Sequence, residues 1–343
     1  LDDSVLREAL VAGVCLGLPG VSVAIATKDG VVFSGTDGYS DLGERLPLHA
    51  NDRFCVGSIT KTFVAVVTLQ LVEEGKVDLS CTAMDYLSRL PCGECVAQVP
   101  NTDTATIRQL LSHQSGVPTW EFQPDWIRAG RGEKMVPGYV FDKAETLSYC
   151  SKDLLPPTGA PGEKFSYSNT NYTLLGLIIE AVTGNDAAHE IRTRIIEPLG
   201  LRHTFLESFE DPAVVCDPVL PSGGQALCHH YHFATPSFLQ TAGYSLRIFG
   251  PPLSSSTSGL HRYLVDSSKA NLSPEWCAGG MAMRAEDLAL YTRALRDGTL
   301  LSAAMQREMF TYYPPALDEI GDDSSGTSTG RRLSQLGSFY CQV

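Results

Sequence analysis

The chain has 343 residues, 43% hydrophobic and 19% charged, a globular composition with enough length for a large core and roughly two domains. Its formal net charge is −13 and no Lys/Arg cluster or basic stripe stands out, which argues against a nucleic-acid partner. The longest apolar run, "LVAGVCLGLPGVSVAIA" at residues 10 to 26, is shorter than a typical spanning helix and is broken by Pro19-Gly20, so no membrane span is expected. A removed leader is one expectation for a chain that starts at Leu1.

Residues 3 to 16 read as an amphipathic helix. "VSVAIATKDGVVFSG" reads as two strands joined by Asp29-Gly30, a strong hairpin signal. Two strands are marginal alone, so this hairpin is expected to find partner strands near the C-terminus. From residue 58 the signals turn helical, starting with "GSITKTF" and the nearly all-apolar "VAVVTLQLVEEG". Thr106 to Gln109 resembles a capping box, and Gly116 follows the helix it opens. Residues 117 to 165, rich in Pro, Gly and aromatics, read as a long irregular excursion. "NYTLLGLIIEAVTG" is a helix stopped by Gly184, and "AAHEIRTRIIEPLG" is one stopped by Pro198 and Gly200. Residues 207 to 275 read as loop, and "AEDLALYTRALRDG" as a helix stopped by Gly298.

The ten cysteines are an even count, which fits disulfides and an oxidising, extracytoplasmic or secreted setting. Cys216 and Cys228 flank a Pro/Gly-rich loop and are the expected pair. Cys92-Gly-Glu-Cys95 reads as a loop motif, either a local disulfide or two free thiols, rather than a redox pair opening a helix after a strand. "CHHYH" at 228 to 232 offers metal ligands in principle but reads as polar surface.

Two motifs carry chemistry. Ser58 and Lys61 stand at i and i+3, one turn apart on one helix face. A lysine facing a protein interior is costly unless paired or neutralised, and a neutral lysine beside a hydroxyl is a base beside a nucleophile. The competing reading has Ser58 capping the helix while Lys61 reaches solvent. In "FSYSNTNY", Tyr167 and Asn169 lie two apart just before a helix. The phenol could shuttle a proton, and the amide could orient Lys61 or bind a substrate carbonyl. The competing reading makes Tyr167 a core aromatic and Asn169 an N-cap.

Five blocks occur in order: "FCVGSITKTFVAVVTLQLVEEGKVDL", "TIRQLLSHQSGV", "PGEKFSYSNTNYTLLGLIIEAVTG", "IIEPLGLRHTF" and "AGGMAMRAEDLALY". This series resembles the serine β-lactamase and penicillin-binding-protein superfamily from about residue 5 to about 310. The branch it resembles holds class C β-lactamases, D-alanyl-D-alanine carboxypeptidases, D-aminopeptidases and β-lactamase-like esterases. The resemblance implies an α+β fold of the β-lactamase/transpeptidase-like type, an antiparallel sheet flanked by helices with a mostly helical second domain. Residues 1–57 plus 276–343 would form the sheet domain and 58–275 the helical one. Ser58 would be the acylated nucleophile, Lys61 and Tyr167 its coupled proton-transfer partners, and Asn169 a substrate-binding amide. Neither cofactor nor metal is implied. His113, in "LLSHQSGV", would pack or hydrogen-bond rather than react.

The sequence departs from this pattern late. The family's third motif, Lys-Thr-Gly or a relative, lies on a strand that lines the cleft and supplies part of the oxyanion hole. The nearest string is Ser328-Thr329-Gly330, without the basic residue or the strands that follow it, so the C-terminal strands read as missing or divergent. Arg284 stands where relatives carry a small Ser or Thr. The function expected is a serine hydrolase of an amide or ester: a D-amino-acid peptide, a β-lactam or a small ester. An acyltransferase of the same fold and a non-catalytic binding member are the alternatives.

Overall fold

The computed structural model describes residues 2–217, 227–233, 248–249 and 264–311. Ser328-Thr329-Gly330 and the expected late strands lie outside these residues. Helix α1 (Asp3–Cys15) opens where the Asp2 carboxylate accepts the Ser4 N–H. Strands β1 (Gly20–Thr27) and β2 (Gly30–Asp41) form the expected hairpin, with a bulge at Ile25/Ala26. Among the described residues its third strand comes from nearby: β3 (Leu46–Pro47) pairs with β2. A turn of a few residues closes this pairing, so it carries little loop-closure cost.

Strand β4 (Phe54–Cys55) leads through a 3₁₀ turn (Gly57–Ile59) into α2 (Thr60–Glu73). Helix α2 is buried almost all round, as its apolar run predicts, and forms the core with Leu174, Leu175, Ile178 and Ile179 of a later helix. Short helices α3 (Ala83–Leu87), α4 (Gly93–Ala97) and α5 (Ile107–Leu111) follow. Thr106 and Gln109 form the expected reciprocal cap on α5. Cys92 caps α4, so Cys92-x-x-Cys95 opens a short helix rather than lying in a loop; the segment before it is helical, not a strand.

The 117–165 excursion is mostly irregular but holds α6 (Pro124–Arg131), started by a proline at a position that needs no N–H. Helix α7 (Asn169–Thr183) ends at Gly184, whose φ is +73°. Helix α8 (Ala187–Ile191) then runs without a break through a π-turn (Arg192–Ile196) into α9 (Glu197–Leu199). Pro198 therefore does not stop the helix: it sits in the first turn of α9, just after the widened π-turn, and Gly200 (φ +63°) makes the stop.

The 207–275 region is less loop-like than its composition suggests. It contains α10 (Pro212–Val215) and a three-stranded antiparallel sheet of β6 (Tyr231–Phe233), β8 (Leu264–Asp266) and β7 (Ile248–Phe249). Strand β5 (Phe205–Leu206) and β4 both pair with β9 (Met281–Met283), which follows the helical turn α11 (Trp276–Gly279). Helix α12 (Ala285–Asp297) packs on β1 and ends at Gly298 (φ +73°), and α13 (Ala303–Phe310) packs on α2.

The expected Cys216–Cys228 disulfide is absent. Cys55, Cys81, Cys92, Cys95, Cys150, Cys216, Cys228 and Cys277 are free thiols. Cys216 turns its sulfur to the Thr204 carbonyl at 3.7 Å and packs with Phe205 and Ala282, whereas Cys228 is drawn to β4 by a backbone bond to the Arg53 carbonyl. Burial pushes both thiols up, so neither is an activated thiolate. The cysteine argument for an oxidising compartment loses its support with the pairing.

Candidate active site

The site is assembled from three segments distant in sequence. The 3₁₀ turn before α2 carries Ser58, and Gly57 enters it at φ +52°, a left-handed conformation that favours glycine. This turn is stapled to β9: Val56 N–H donates to the Met281 carbonyl at 2.9 Å, and Met281 N–H donates to Thr60 Oγ1 at 3.0 Å. Ser58 makes no capping bond, so the capped-helix reading of "GSITKTF" fails. Its Oγ instead lies 2.5 Å from Tyr167 OH and accepts a hydrogen bond from Lys61 Nζ at 3.1 Å.

Lys61 does not reach solvent; it is 3% exposed. Its ammonium also donates to Asn169 Oδ1 at 2.7 Å and to the Ala278 carbonyl at 2.6 Å. It stands 4.9 Å from the centre of the Tyr167 ring and 5.5 Å from that of Tyr172. Burial lowers its pKa from 10.5 to about 8, against a smaller upward pull from Glu275 and Glu121. Such a lysine holds a usable neutral fraction near neutral pH, as a base requires.

The four residues singled out by sequence, Ser58, Lys61, Tyr167 and Asn169, thus meet in one place. Asn169 is the first residue of α7, but its side chain caps nothing: Oδ1 is on Lys61 and Nδ2 donates to the Glu121 carboxylate. Its backbone N–H is taken by Thr119 Oγ1 at 3.2 Å. Tyr167 is held from behind by His113, whose ring stacks on it at 4.4 Å between centroids. His113 Nδ1 accepts the Ser168 N–H at 3.1 Å, so the ring is neutral with its proton on Nε2. Complete burial lowers its pKa to about 3, and Lys61 adds to the shift. His113 is therefore a packing and hydrogen-bonding residue. Ser115 and Ser168 are occupied structurally: Ser115 Oγ donates to Asn171 Oδ1 and Ser168 Oγ to the Pro118 carbonyl.

Three contributors were not singled out from sequence. Glu121 and Glu275 face the site with carboxyl groups, and Ala278 supplies a backbone carbonyl. Burial, reinforced by Glu275, raises the Glu121 pKa, with Lys61 and Arg131 opposing. An acid inside the irregular 117–165 segment was visible, but nothing local placed it at the cleft. Arg284 serves the frame instead, binding Asp287 at 2.9 Å and Asn51 at 2.7 Å. Of the "CHHYH" run, His229 lies between Asp41 and Asp266 while His230 Nε2 accepts the Cys55 N–H; no three-ligand metal cluster exists among the described residues. Nor is any helix of the described residues long and apolar enough to cross a membrane.

A family model described as Beta-lactamase matches residues 9–337. The chain belongs to the beta-lactamase family. This beta-lactamase-family chain is similar to a D-stereospecific amidohydrolase from Streptomyces sp., with 27% identity and a TM-score of 0.68 over 92% of this chain and 79% of that one. It shares its fold with the D-amino acid amidase from Ochrobactrum anthropi SV3 complexed with D-phenylalanine, at 24% identity and a TM-score of 0.67 over 90% and 75% of the two chains. Penicillin-binding protein 4 of Amycolatopsis lactamdurans is 30% identical over 188 residues, 55% of this chain and 45% of that protein. Protein flp of Staphylococcus aureus (strain MW2) is 27% identical over 204 residues, and the match spans only 37% of its length. The α+β architecture expected from the ordered blocks is thus the family's own.

Proposed function

We propose that this beta-lactamase-family protein is a serine hydrolase that opens an amide or ester through an acyl-Ser58 intermediate. The observation that supports the reading best is the convergence of Lys61 Nζ and Tyr167 OH on one hydroxyl. During acylation Ser58 Oγ bonds to the substrate carbonyl carbon while its proton passes to the Tyr167–Lys61 pair. The pair returns a proton to the departing amine or alcohol. Water then gives its proton to the same pair, attacks the acyl carbon, and Ser58 leaves as the reprotonated hydroxyl. The two proton carriers are coupled and act as one unit. Asn169 and the Ala278 carbonyl fix the Lys61 ammonium, so that its lone pair, once the proton is lost, is directed within reach of Ser58.

The substrates we infer are amides or esters of D-configured amino acids. The D-stereospecific amidohydrolase, at 27% identity over most of both chains, supports that choice. Intact mass after incubation with a fluorophosphonate or a β-lactam tests the reading. A single adduct mapped to Ser58, and lost in Ser58→Ala, is expected. An adduct on Ser115 or Ser168, or none with any acylating probe, would overturn it.

A further inference from the structure

One acceptor of the Lys61 ammonium is a backbone carbonyl, and its position depends on a weak element. The Ala278 carbonyl belongs to α11, a single helical turn whose first residue, Trp276, has φ +33°. One turn has little intrinsic stability, and a tryptophan in that conformation persists only where its surroundings hold it. The turn packs on α2 and α7. The residues leading into it are tied to the segment around α6. Asn271 N–H donates to the Gly130 carbonyl at 2.9 Å, and Phe141 N–H to Ser273 Oγ at 2.9 Å. The last tie is ionic: the Arg131 guanidinium, at the end of α6, binds Glu275 Oε1. Arg131 also lies 4.9 Å over the Trp126 ring, which fixes its direction.

Glu275 directly precedes α11, and its side chain folds back along the turn. A Cβ added at Gly279 would meet Glu275 Oε2 at 2.9 Å, so glycine leaves room for the carboxylate beside Ala278. The Ala278 and Gly279 N–H groups both donate to the Glu275 carbonyl, at 2.6 and 2.9 Å. One residue thus holds the turn by its backbone, lies against it with one carboxylate oxygen and anchors it to α6 with the other.

The same carboxylate bears on the charge of Lys61. Burial lowers the Lys61 pKa to about 8, and Glu275 opposes that shift more than Glu121 does. The other groups around the ammonium are the Tyr167 and Tyr172 rings and the neutral His113. Arg131 offsets part of the Glu275 charge.

Resting on the serine-hydrolase reading, we infer that Glu275 is a positioning residue: held by Arg131, it seats α11 so that the Ala278 carbonyl stays on Lys61, and it sets a fixed negative charge near the base. Mere support of the fold would not give the signature this predicts. Glu275→Gln and Arg131→Gln break the same ion pair, so a purely structural loss acts alike in both. Their effects on charge are opposite. Glu275→Gln takes the anion from Lys61 and leaves a cation, so the neutral base forms at lower pH. Arg131→Gln leaves the anion without its partner, so the neutral base forms at higher pH.

The test is the pH dependence of Ser58 labelling by a fluorophosphonate, followed by timed intact mass in the wild type, both variants and Arg131→Lys. The midpoint is expected to move down by about 0.5–1 pH unit in Glu275→Gln and up by a similar amount in Arg131→Gln. Both should lower the plateau rate roughly 3–30-fold as the carbonyl contact loosens. Arg131→Lys keeps the charge and should keep the wild-type midpoint. Midpoints that stay in place or move in the same direction, or a wild-type plateau in either variant, would overturn the assignment while leaving Ser58 as the labelled nucleophile. The Arg131 side chain is 36% exposed against 12% for Glu275, so Arg131→Gln decides the matter even if Glu275→Gln does not fold. Absence of any Ser58 adduct in the wild type overturns the hydrolase reading, and this assignment with it.

Discussion

Tyr167 OH lies 2.5 Å from Ser58 Oγ, closer than Lys61 Nζ at 3.1 Å, although Lys61 is three residues away in sequence and Tyr167 is more than a hundred. In the proposed mechanism the phenol takes part in the first proton movement, and the lysine, once neutral, draws the proton on as the base. The two roles separate in mutants. Tyr167→Phe removes one hydroxyl and leaves the ring stacked on His113, so the fold should persist. Lys61→Ala removes a buried cation along with three hydrogen bonds. Both should slow Ser58 acylation, roughly 10²–10⁴-fold for a lost general acid or base. Stopped-flow or timed intact-mass labelling, with circular dichroism to check the fold, measures it. Tyr167→Phe acylating at the wild-type rate would remove Tyr167 from the proton path.

The Lys61 pKa of about 8 sets a pH dependence. Only the neutral amine accepts a proton, and its fraction grows as pH rises through about 8. The acylation rate should climb about tenfold per pH unit below that value and level off above it. The folded pKa lies below the 10.5 of an unfolded lysine, so the unfolded chain binds more protons between these values. Stability should therefore gain with pH from about 8 to 10.5 from this group alone. A pH–rate profile falling through the same range would assign the base elsewhere.

His113 gives a term of the same sign at acid pH. Its ring is neutral in the folded protein down to about pH 3, whereas an unfolded histidine takes up a proton near 6.5. Its contribution is complete above pH 6.5 and is lost as pH falls towards 3, by an amount on the order of a few kcal/mol. His113 also has φ +57°, a conformation asparagine tolerates. In His113→Asn the slope of unfolding free energy against pH between 6.5 and 4 should be flatter than in the wild type. Urea melts at several pH values compare the two, and equal slopes would contradict a buried neutral ring.

Gly176 in α7 faces α11, the turn that holds the Lys61 acceptor. A Cβ there would stand 2.6 Å from Cys277 Sγ and 2.7 Å from the Trp276 ring, in a turn where Trp276 already has φ +33°. Gly176→Ala should push α11 outward, costing about 1–3 kcal/mol by overpacking. It should also loosen the Ala278 carbonyl from Lys61 and so slow acylation at temperatures where the variant remains folded. Unchanged acylation in a destabilised variant would show that the carbonyl contact is dispensable.

Much of this was legible in the chain itself. The Asp29-Gly30 hairpin, the Thr106/Gln109 cap, the buried α2 run and the stops at Gly184 and Gly298 are local patterns, and local patterns are written in neighbouring residues. Ser58, Lys61, Tyr167 and Asn169 could be named because the five ordered blocks resemble a known family and carry both motifs. Their meeting could not be read from spacing, because it needs α2 and α7 packed side by side over a common core. The π-turn that carries the chain to Pro198 and the β6–β8–β7 sheet escaped notice for a related reason. Proline and loop-like composition signal a break only until tertiary contacts supply hydrogen bonds elsewhere. The cysteine count suggested a disulfide, but linking two thiols requires the fold to bring their sulfurs together, which a count does not decide, and Cys216 and Cys228 are both free. Glu121 belongs wholly to the folded state. Sequence makes it one acid in an irregular segment. Only the packing of that segment against the start of α7 places its carboxylate on Asn169, where low polarity and the nearby charges give it chemical weight.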